Sequence, residues 1–279
     1  MSGPVTEYPV PFPHAIAAVD GSGSVVWSQG ELSRVFPLAS VTKILTSLGT
    51  MRAIEEGRVD LETQVGRRSD QDEPYAVRHL LSHSSGLDVE GNGTVFRDAP
   101  EHRRIYSNQG FEVLGRHVEN SVVAPREEWM RSKVYDPLGL QATQIPGSPA
   151  RDGIGTVEDL TLLVEEFLAP QVLTPETLAA MTSVVYPGLR GTLPGYGLQQ
   201  DNTWGLGLEI KGNKSPHWTP PSSSPETFGH FGVSGSYLWV DPQKGIGAVF
   251  LGEEPFGQWH KENWPRLGEL IMTTAEATG

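Results

Sequence analysis

Short apolar runs separated by turn residues occur at both ends of the chain. The segment AIAAVDGSGSVVWSQG (15–30) places two such runs on either side of Asp-Gly-Ser-Gly, which is typical of a β-hairpin turn. Near the other end, ETFGHFG (226–232), SYLWVDP (236–242) and GIGAVFLG (245–252) are separated by Gly-Ser and Pro-Gln-Lys-Gly breaks. This pattern predicts β-strands at both ends of the chain.

The pattern becomes helical at Ser40. Apolar residues then recur every three or four positions until Gly57, as expected of a helix that packs against a core. These residues are Val41, Ile44, Leu45, Leu48 and Met51. Comparable patterns predict further helices after Pro74, over 107–120, after Pro125, Thr156 and Thr174, and over 258–277.

Residues 183–226 are rich in Gly, Pro and Ser, and they predict loops with a strand around WGLGLEI (204–210). Strands at both ends with helices between them predict an α+β fold, with an antiparallel sheet built from both chain ends and flanked by helices. We expect a sheet domain from 1–39 and 225–279 and an inserted, mostly helical domain from 40–224. The active site is expected in the cleft between them.

The composition is that of a globular protein with a substantial core. The chain has 279 residues, of which 37% are hydrophobic and 20% charged. The net charge is −13 and Lys and Arg are scattered, which argues against nucleic acid or an anionic membrane surface as the main partner. The absence of Cys excludes disulfides, thiol catalysis and cysteine-ligated metal.

The amino-terminal sequence MSGPVTEYPVPFP has neither a basic start nor an apolar stretch, so it does not have the pattern of a secretory signal. No run in the chain approaches the ~18 consecutive apolar residues that a membrane span needs. The sequence therefore predicts a cytoplasmic protein without a membrane partner.

Ser40 and Lys43 are the first candidates for chemistry. On a helix, residues at positions i and i+3 share a face, so the amine can approach the hydroxyl. A serine hydroxyl is a weak nucleophile that needs a nearby base, and a lysine serves as that base only if its pKa is lowered. The same pattern, taken alone, also fits a helix cap followed by a solvated charge.

Two further motifs follow along the chain. Tyr106 and Asn108 form Y-x-N near a predicted helix start; a tyrosine can relay protons and an asparagine can orient a carbonyl or an amine. His230 and Gly232 form H-x-G on a predicted strand, where the glycine lets a substrate approach the backbone closely. Each motif alone is also compatible with a residue that serves only packing.

Together the S-x-x-K, Y-x-N and H-x-G motifs resemble those of the serine β-lactamase and penicillin-binding-protein superfamily. The branch that the chain resembles contains class C β-lactamases, D-alanyl-D-alanine carboxypeptidases, D-aminopeptidases and family VIII carboxylesterases. The resemblance runs from residue 14 through nearly the whole chain. Segments that are similar to those of the branch are HLLSHSSGL (79–87), YSNQGFEVLG (106–115), DPLGL (136–140), WGLGLEI (204–210) and GHFGVSGSYLWVDP (229–242).

The resemblance implies a β-lactamase/transpeptidase-like fold and a role for each motif residue. Ser40 would be acylated, while Lys43 and Tyr106 would move its proton to the leaving group. Asn108 would hold the substrate carbonyl and Lys43. His230 would take the place of the lysine of K-T-G, with a charge that the sequence leaves open. The oxyanion would lie between the backbone N–H groups of Ser40 and Val233, the residue after Gly232.

Phe231 departs from the family pattern, which often has a threonine that binds a substrate carboxylate. Because Phe231 cannot donate a hydrogen bond, we expect a small-molecule ester or amide, cleaved by a carboxylesterase or amidase. The alternatives are a β-lactamase or D-alanyl-D-alanine carboxypeptidase, and a catalytically silent binding protein. We expect no cofactor and no metal, with His79 and His83 structural since they lack the Glu of H-E-x-x-H. The oligomeric state stays open.

Overall fold

The computed structural model describes residues 7–278. In sequence, the amino-terminal segment 1–13 contains no apolar stretch. Residues 1–6 of that segment lie outside the described residues. The described strands are β1 (His14–Asp20), β2 (Val25–Gly30), β3 (Phe36–Pro37), β4 (Gln64–Gly66), β5 (Tyr75–Ala76), β6 (Ile154–Gly155), β7 (Gly191–Leu193), β8 (Gly197–Gln199), β9 (Glu209–Ile210), β10 (Phe228–Gly232), β11 (Ser236–Asp241) and β12 (Ile246–Gly252).

Among the described helices, none is both long enough and apolar enough to cross a bilayer. A 3₁₀ turn at Ala39–Val41 precedes the first helix, and a π-helical turn at Arg131–Tyr135 joins the fourth to the fifth. The helices are α1 (Thr42–Glu55), α2 (Val77–Leu81), α3 (Asn108–Val122), α4 (Arg126–Met130), α5 (Asp136–Leu138), α6 (Val157–Leu168), α7 (Pro175–Thr182) and α8 (Gln258–Thr278).

Six antiparallel strands form the central sheet, in the order β2-β1-β12-β11-β10-β9. β1 lies beside β12, with His14 opposite Gly252 and Asp20 opposite Ile246. The Asp20 carboxylate closes the turn between β1 and β2 because it accepts hydrogen bonds from the backbone N–H groups that follow it. The predicted α+β fold, with an antiparallel sheet built from both chain ends, is therefore confirmed.

The middle of the chain also contributes to this sheet. β9 pairs with β10 at the sheet edge, and α6 packs on β1 and β12. The predicted strand around 204–210 is shorter than expected, and a hairpin of β7 and β8 forms where loops were predicted. Both short strands of that hairpin lack an apolar alternation long enough to be recognised from sequence. The division of the chain at residues 39 and 225 stays a prediction.

Side chains on the two faces of the sheet enter two separate hydrophobic clusters. Along β1, Ala15, Ala17 and Val19 join the larger cluster, which the middle helices complete, whereas Ile16 and Ala18 join the smaller one. Helix α8 covers the smaller cluster with Trp264, Leu267, Ile271 and Met272. Because helices cover both faces, the central strands are buried throughout.

Helix α1 runs through the larger cluster. Eleven of its fourteen residues are buried, polar ones included, as expected of a helix that lies inside a core rather than on it. The Thr46 hydroxyl donates to the Pro149 carbonyl, and the Trp129 indole N–H donates to the Gly49 carbonyl. These two contacts and the surrounding core make α1 a fixed support for the residues at its N-terminus.

The turn before α1 lies directly against the end of β10. A Cβ atom on Gly232 would be only 2.6 Å from the Leu38 carbonyl oxygen and 2.9 Å from the Ala39 Cβ. The Ser236 hydroxyl also donates to the Leu38 carbonyl, at 2.8 Å. Since no residue with a side chain fits this contact without displacing one element, Gly232 sets the separation of β10 from the turn.

Gly232→Ala is expected to lower the free energy of unfolding by about 2 kcal/mol because the added methyl group overpacks this contact. Urea unfolding of the wild type and the variant measures the effect. The matched control is Gly21→Ala, whose added methyl would lie 3.7 Å from the nearest atom, an ordinary contact. Equal unfolding midpoints for both variants would contradict the close packing of β10 on the turn.

Candidate active site

Ser40 lies in the 3₁₀ turn before α1, and its side chain is partly exposed. Ala39, the preceding residue, has a φ of 45°, in the left-handed region that residues with a Cβ rarely adopt. Such a conformation persists only where neighbours hold it, and here the contacts of Gly232 and Ser236 do so. The Ser40 hydroxyl is thereby presented at a helix start, where backbone N–H groups have no partner within the helix.

Lys43 is completely buried, and its Nζ contacts two carbonyl oxygens instead of a carboxylate. It donates to Asn108 Oδ1 at 2.6 Å and to the Ala150 carbonyl at 2.8 Å. Burial lowers the pKa of Lys43 well below 10.5, and Arg151 adds to the effect while Glu90 opposes it. A neutral amine has two hydrogens for these two acceptors, which leaves its lone pair free to accept a proton.

Tyr106 links the nucleophile to this amine. Its hydroxyl donates to Ser40 Oγ at 2.6 Å, and its ring centroid lies 4.6 Å from Lys43 Nζ. The direct hydrogen-bond partner of Ser40 Oγ is thus Tyr106 rather than Lys43. Burial raises the pKa of Tyr106, so the phenol keeps its proton at neutral pH. In space, the hydroxyl of Ser40, the neutral phenol of Tyr106 and the buried amine of Lys43 therefore follow one another in that order.

His83 holds Tyr106 in place from both sides along the backbone. The His83 carbonyl accepts from the Ile105 N–H at 2.9 Å, and His83 Nδ1 accepts from the Ser107 N–H at 3.1 Å. The rings of His83 and Tyr106 lie against each other, with centroids 4.7 Å apart. A left-handed backbone at His83, with φ of 54°, accompanies this double contact. The sequence indicated only a structural histidine here; the structure gives it a specific position behind Tyr106.

Asn108 bridges the buried amine and the mouth of the cleft. Its Oδ1 accepts from Lys43, and its Nδ2 donates to Glu90 Oε1 at 2.7 Å. Glu90 in turn pairs with Arg151 at 3.0 Å, and both of these side chains are more than half exposed. One amide hydrogen of Asn108 remains for a group in the cleft. Glu90 and Arg151 could not be recognised as site residues from sequence, because each comes from a different loop.

His230 lies on β10 with its ring beside Tyr106 and Trp204, at centroid distances of 5.8 and 5.4 Å. Its Nδ1 donates to the Phe231 carbonyl at 2.7 Å. Burial, the largest cause, lowers the pKa of His230 to about 3, so at neutral pH the ring is neutral and Nε2 is an acceptor. Among the described residues Nε2 has no partner. The sequence left the charge of His230 open, and the structure indicates a neutral ring at neutral pH.

The residues after His230 have different surroundings. Phe231 is only 6% exposed and packs in the smaller cluster, with its ring centroid 4.8 Å from that of Phe256, although it also reaches the cleft wall. Val233 is 68% exposed, and its carbonyl accepts from the Phe256 N–H. Phe231 is thus a packing residue as well as a cleft residue, and Val233 faces the opening.

The cleft beside Ser40 has a volume of about 320 Å³. A buried ion cluster supports its wall: Glu209 contacts Lys214 at 3.1 Å and His217 at 2.8 Å. Although burial alone would raise the pKa of Glu209, the charge of Lys214 and the hydrogen-bonded His217 hold it below its usual value. The cleft is lined by Ser40, Val89, Glu90, Tyr106, Asn108, Arg151, Leu193, Pro194, Trp204, Glu209, His230, Phe231 and Val233.

The structure brings together every motif residue that the sequence singled out around one cleft, with Lys43 directly behind it. Within residues 7–278, no group of three or more His, Asp or Glu side chains is placed to hold a metal ion. His79 has partners of its own: it contacts Glu101 at 2.8 Å and accepts a hydrogen bond from the Ala76 N–H. It does not share these partners with His83. The arrangement is suited to nucleophilic attack by Ser40 on a carbonyl carbon.

His83→Asn is expected to lower kcat by ten- to a hundredfold with little change in KM, because a tyrosine displaced by even ~1 Å is a poor proton relay. Asparagine tolerates the left-handed backbone, so the fold is retained. Steady-state kinetics with an activated ester measures the effect. His79→Asn, in helix α2 just before His83 and away from Tyr106, is the matched control and keeps the wild-type kcat.

The assignment of His83 also predicts coupling to Tyr106. In a Tyr106→Phe background, His83→Asn should have little further effect, because the two changes disable the same relay. Additive losses in the double variant, or an unchanged kcat in His83→Asn alone, would contradict this role.

Comparisons with known proteins agree with this geometry. A family model for β-lactamases matches residues 17–269. A crystal structure of a β-lactamase (Mb2281c) from Mycobacterium bovis is 38% identical, with a TM-score of 0.89 over 96% of each chain. A Salmonella gallinarum protein assigned as a D-alanyl-D-alanine carboxypeptidase is 22% identical over 79% of this chain and 69% of its own length.

A further solved structure shares the fold at low sequence identity. EstCE1, a hydrolase with promiscuous acyltransferase activity, is 19% identical with a TM-score of 0.75, over 94% of this chain and 93% of its own. The resemblance inferred from the S-x-x-K, Y-x-N and H-x-G motifs is confirmed. Since one family model spans most of the chain and the Mycobacterium bovis protein matches it end to end, the chain belongs to the β-lactamase family of serine hydrolases.

Proposed function

We propose that this protein cleaves a small ester or amide through an acyl-enzyme on Ser40. The observation that carries the proposal is the 2.6 Å contact between Ser40 Oγ and Tyr106, backed by a buried amine at Lys43. A nucleophile hydrogen-bonded to a relay, with a base beside the ring of that relay, suits such chemistry. Of the alternatives, a silent binding protein would not need a lysine buried without a carboxylate partner.

In the proposed reaction, Ser40 Oγ bonds to the carbonyl carbon while its proton passes by way of Tyr106 to the lone pair of Lys43. The bond from the carbonyl carbon to the leaving group then breaks, and the proton returns through Tyr106 to the leaving oxygen or nitrogen. A water oxygen then bonds to the acyl carbon while a water proton passes through Tyr106 to Lys43. The bond from that carbon to Ser40 Oγ breaks, the proton returns through Tyr106 to Oγ, and the acid is released. Tyr106 alone is a poor base because its pKa is raised, so the relay depends on Lys43.

Two backbone amides support an oxyanion site. The Ser40 N–H lies in the first turn of its helix, and the Val233 N–H lies just past the end of β10. In other enzymes such donors contribute roughly 3 kcal/mol each to lowering the barrier. The contact of Gly232 with the turn at Leu38 and Ala39 keeps the two amides on facing elements.

The electrostatics around Ser40 favour a substrate with no carboxylate beside the reacting carbonyl. Burial favours the neutral form of Lys43, His230 is neutral, and Phe231 is apolar and cannot donate a hydrogen bond. A penicillin or a D-alanyl-D-alanine terminus carries such a carboxylate, and the cleft offers it no cation next to the nucleophile. We therefore prefer a carboxylesterase or amidase, and the similar fold of EstCE1, a hydrolase with promiscuous acyltransferase activity, is compatible with this preference.

The second candidate is a β-lactamase or D-alanyl-D-alanine carboxypeptidase. The names of the Mycobacterium bovis and Salmonella gallinarum relatives favour it. Arg151 at the mouth of the cleft is the one lining cation, and it is already paired with Glu90.

Intact-protein mass after incubation with short p-nitrophenyl esters, a penicillin and a fluorophosphonate tests the proposal. We expect a fluorophosphonate adduct on the wild type and none on Ser40→Ala, with ester turnover faster than penicillin turnover. Preferred penicillin turnover would replace the esterase with the second candidate. No adduct with any reagent would establish the silent binding protein.

The reaction should also have one acidic limb in its pH profile. Lys43 accepts a proton only as the neutral amine, so kcat/KM rises with pH through the pKa of Lys43 and is level above it. Because burial lowers that pKa, the midpoint should fall well below 10.5. His230, with a pKa of about 3, is neutral throughout and adds no limb near neutrality.

Hydrolysis of p-nitrophenyl acetate from about pH 5 to about pH 10 measures this midpoint. His230→Gln, whatever its rate, should keep the wild-type midpoint. A midpoint close to that of free lysine would show that Lys43 is not a buried neutral base.

A further inference from the structure

A second compartment of about 260 Å³ opens beside the cleft. Val89, Tyr106 and Pro194 line both spaces. A ligand that extends from Ser40 past these three residues therefore enters the second compartment. The proposed reaction uses only the first.

The walls of this compartment carry positive charge. Arg97 and Arg103 line it, and its lining includes no Asp or Glu, in a chain whose net charge is −13. Arg103 is exposed, and within residues 7–278 no carboxylate lies within ion-pair distance of it. The exposed Thr192 adds a hydroxyl to the same wall. Arginine donors and a hydroxyl are groups that bind carboxylate and phosphate oxygens.

Arg97 is only partly neutralised. Its Nε contacts Asp88 Oδ1 at 2.5 Å, while its side chain is 61% exposed. The two terminal nitrogens of its guanidinium remain for a second anion. Arg97 and Arg103 together therefore present more donors than the single carboxylate of Asp88 uses.

A buried framework fixes this wall. Arg104 is 2% exposed and satisfies its guanidinium with four backbone carbonyls, those of Ser82, Val185, Tyr186 and Asn202. Its N–H donates to the Arg190 carbonyl, and a Cβ on Gly191 would lie 2.2 Å from its carbonyl oxygen. The backbone that carries Arg103 is therefore held tightly against β7. Arg104 itself has its donors occupied and is not the anion ligand.

We propose that this compartment binds an oxyanion at the far end of the substrate. The claim rests on the proposed function, and it narrows the substrate class to esters or amides with an uncharged reacting carbonyl and a distant carboxylate or phosphate. The neutral surroundings of Ser40 and the cationic surroundings of Arg103 then recognise two different parts of one molecule.

Matched pairs of esters test the proposal. One arm places the anion on the acyl group: mono-p-nitrophenyl esters of the dicarboxylic acids from succinate to suberate, each against its methyl-capped neutral form. The other arm places it on the leaving group: 4-carboxyphenyl acetate against its methyl ester. We expect kcat/KM about tenfold higher for the charged member in one arm, mainly through KM. Added salt should reduce the difference.

Arg103→Gln should abolish this preference and leave the rates of the neutral esters unchanged. Arg67→Gln, which removes the same charge at an exposed position outside the compartment, is the matched control and should keep the preference. Equal rates for charged and neutral members in both arms would overturn the anion subsite, while Ser40-dependent turnover of p-nitrophenyl acetate would leave the proposed function standing.

A binding measurement separates the subsite from catalysis. Glutarate or inorganic phosphate is titrated into Ser40→Ala and into the double variant with Arg103→Gln. Binding that depends on Arg103 supports the subsite even if no ester is hydrolysed, and the better ligand distinguishes carboxylate from phosphate. No binding to Ser40→Ala at millimolar concentrations would overturn it.

Discussion

The burial of Lys43 without a carboxylate is the constraint on which the site depends. A charged ammonium in that position would lack both water and a counter-ion, which is costly in a protein interior. The two carbonyl oxygens of Asn108 and Ala150 satisfy a neutral amine instead. Asn108 stands at the start of α3 and Ala150 in a loop before β6, so two distant parts of the chain have to be in place before the amine has its partners.

The uncharged environment of Lys43 extends to the histidines around Tyr106. His83 and His230 are buried and neutral on either side of Tyr106, and neither introduces a charge that would compete for the proton. Charge occurs in the cleft wall, where Glu209 is paired with Lys214, at the cleft mouth, in the pair of Glu90 and Arg151, and beyond Tyr106, in the second compartment. The molecule thus has an uncharged reaction centre with a charged periphery.

The sequence predicted the parts of this site that are local. Ser40 lies in the turn before α1 and Lys43 in the first turn of that helix, and the strand that carries His230 is visible in its composition, so both elements could be inferred. The position behind Tyr106 could not, because it depends on a left-handed backbone at His83 and on hydrogen bonds between residues about twenty positions apart. The hairpin of β7 and β8 was also missed.

Glu90 and Arg103 show the same limit. Both are charged residues in irregular segments, where neither periodicity nor spacing distinguishes a cleft residue from a solvated one. Only the tertiary packing of their loops against Asn108 and β7 gives them neighbours with chemical meaning. Sequence therefore indicated the reaction type more readily than the substrate.

The pairing of β1 with β12 sets the order in which the protein can become active. His14 lies opposite Gly252, and Val233, the proposed oxyanion donor, lies just past the end of β10. During synthesis, Ser40, Lys43 and Tyr106 are all made long before β10, and contacts across such a sequence distance form slowly. By the proposed mechanism, a nascent chain holds the nucleophile and its base without the second oxyanion donor, so reactivity begins only when the sheet closes.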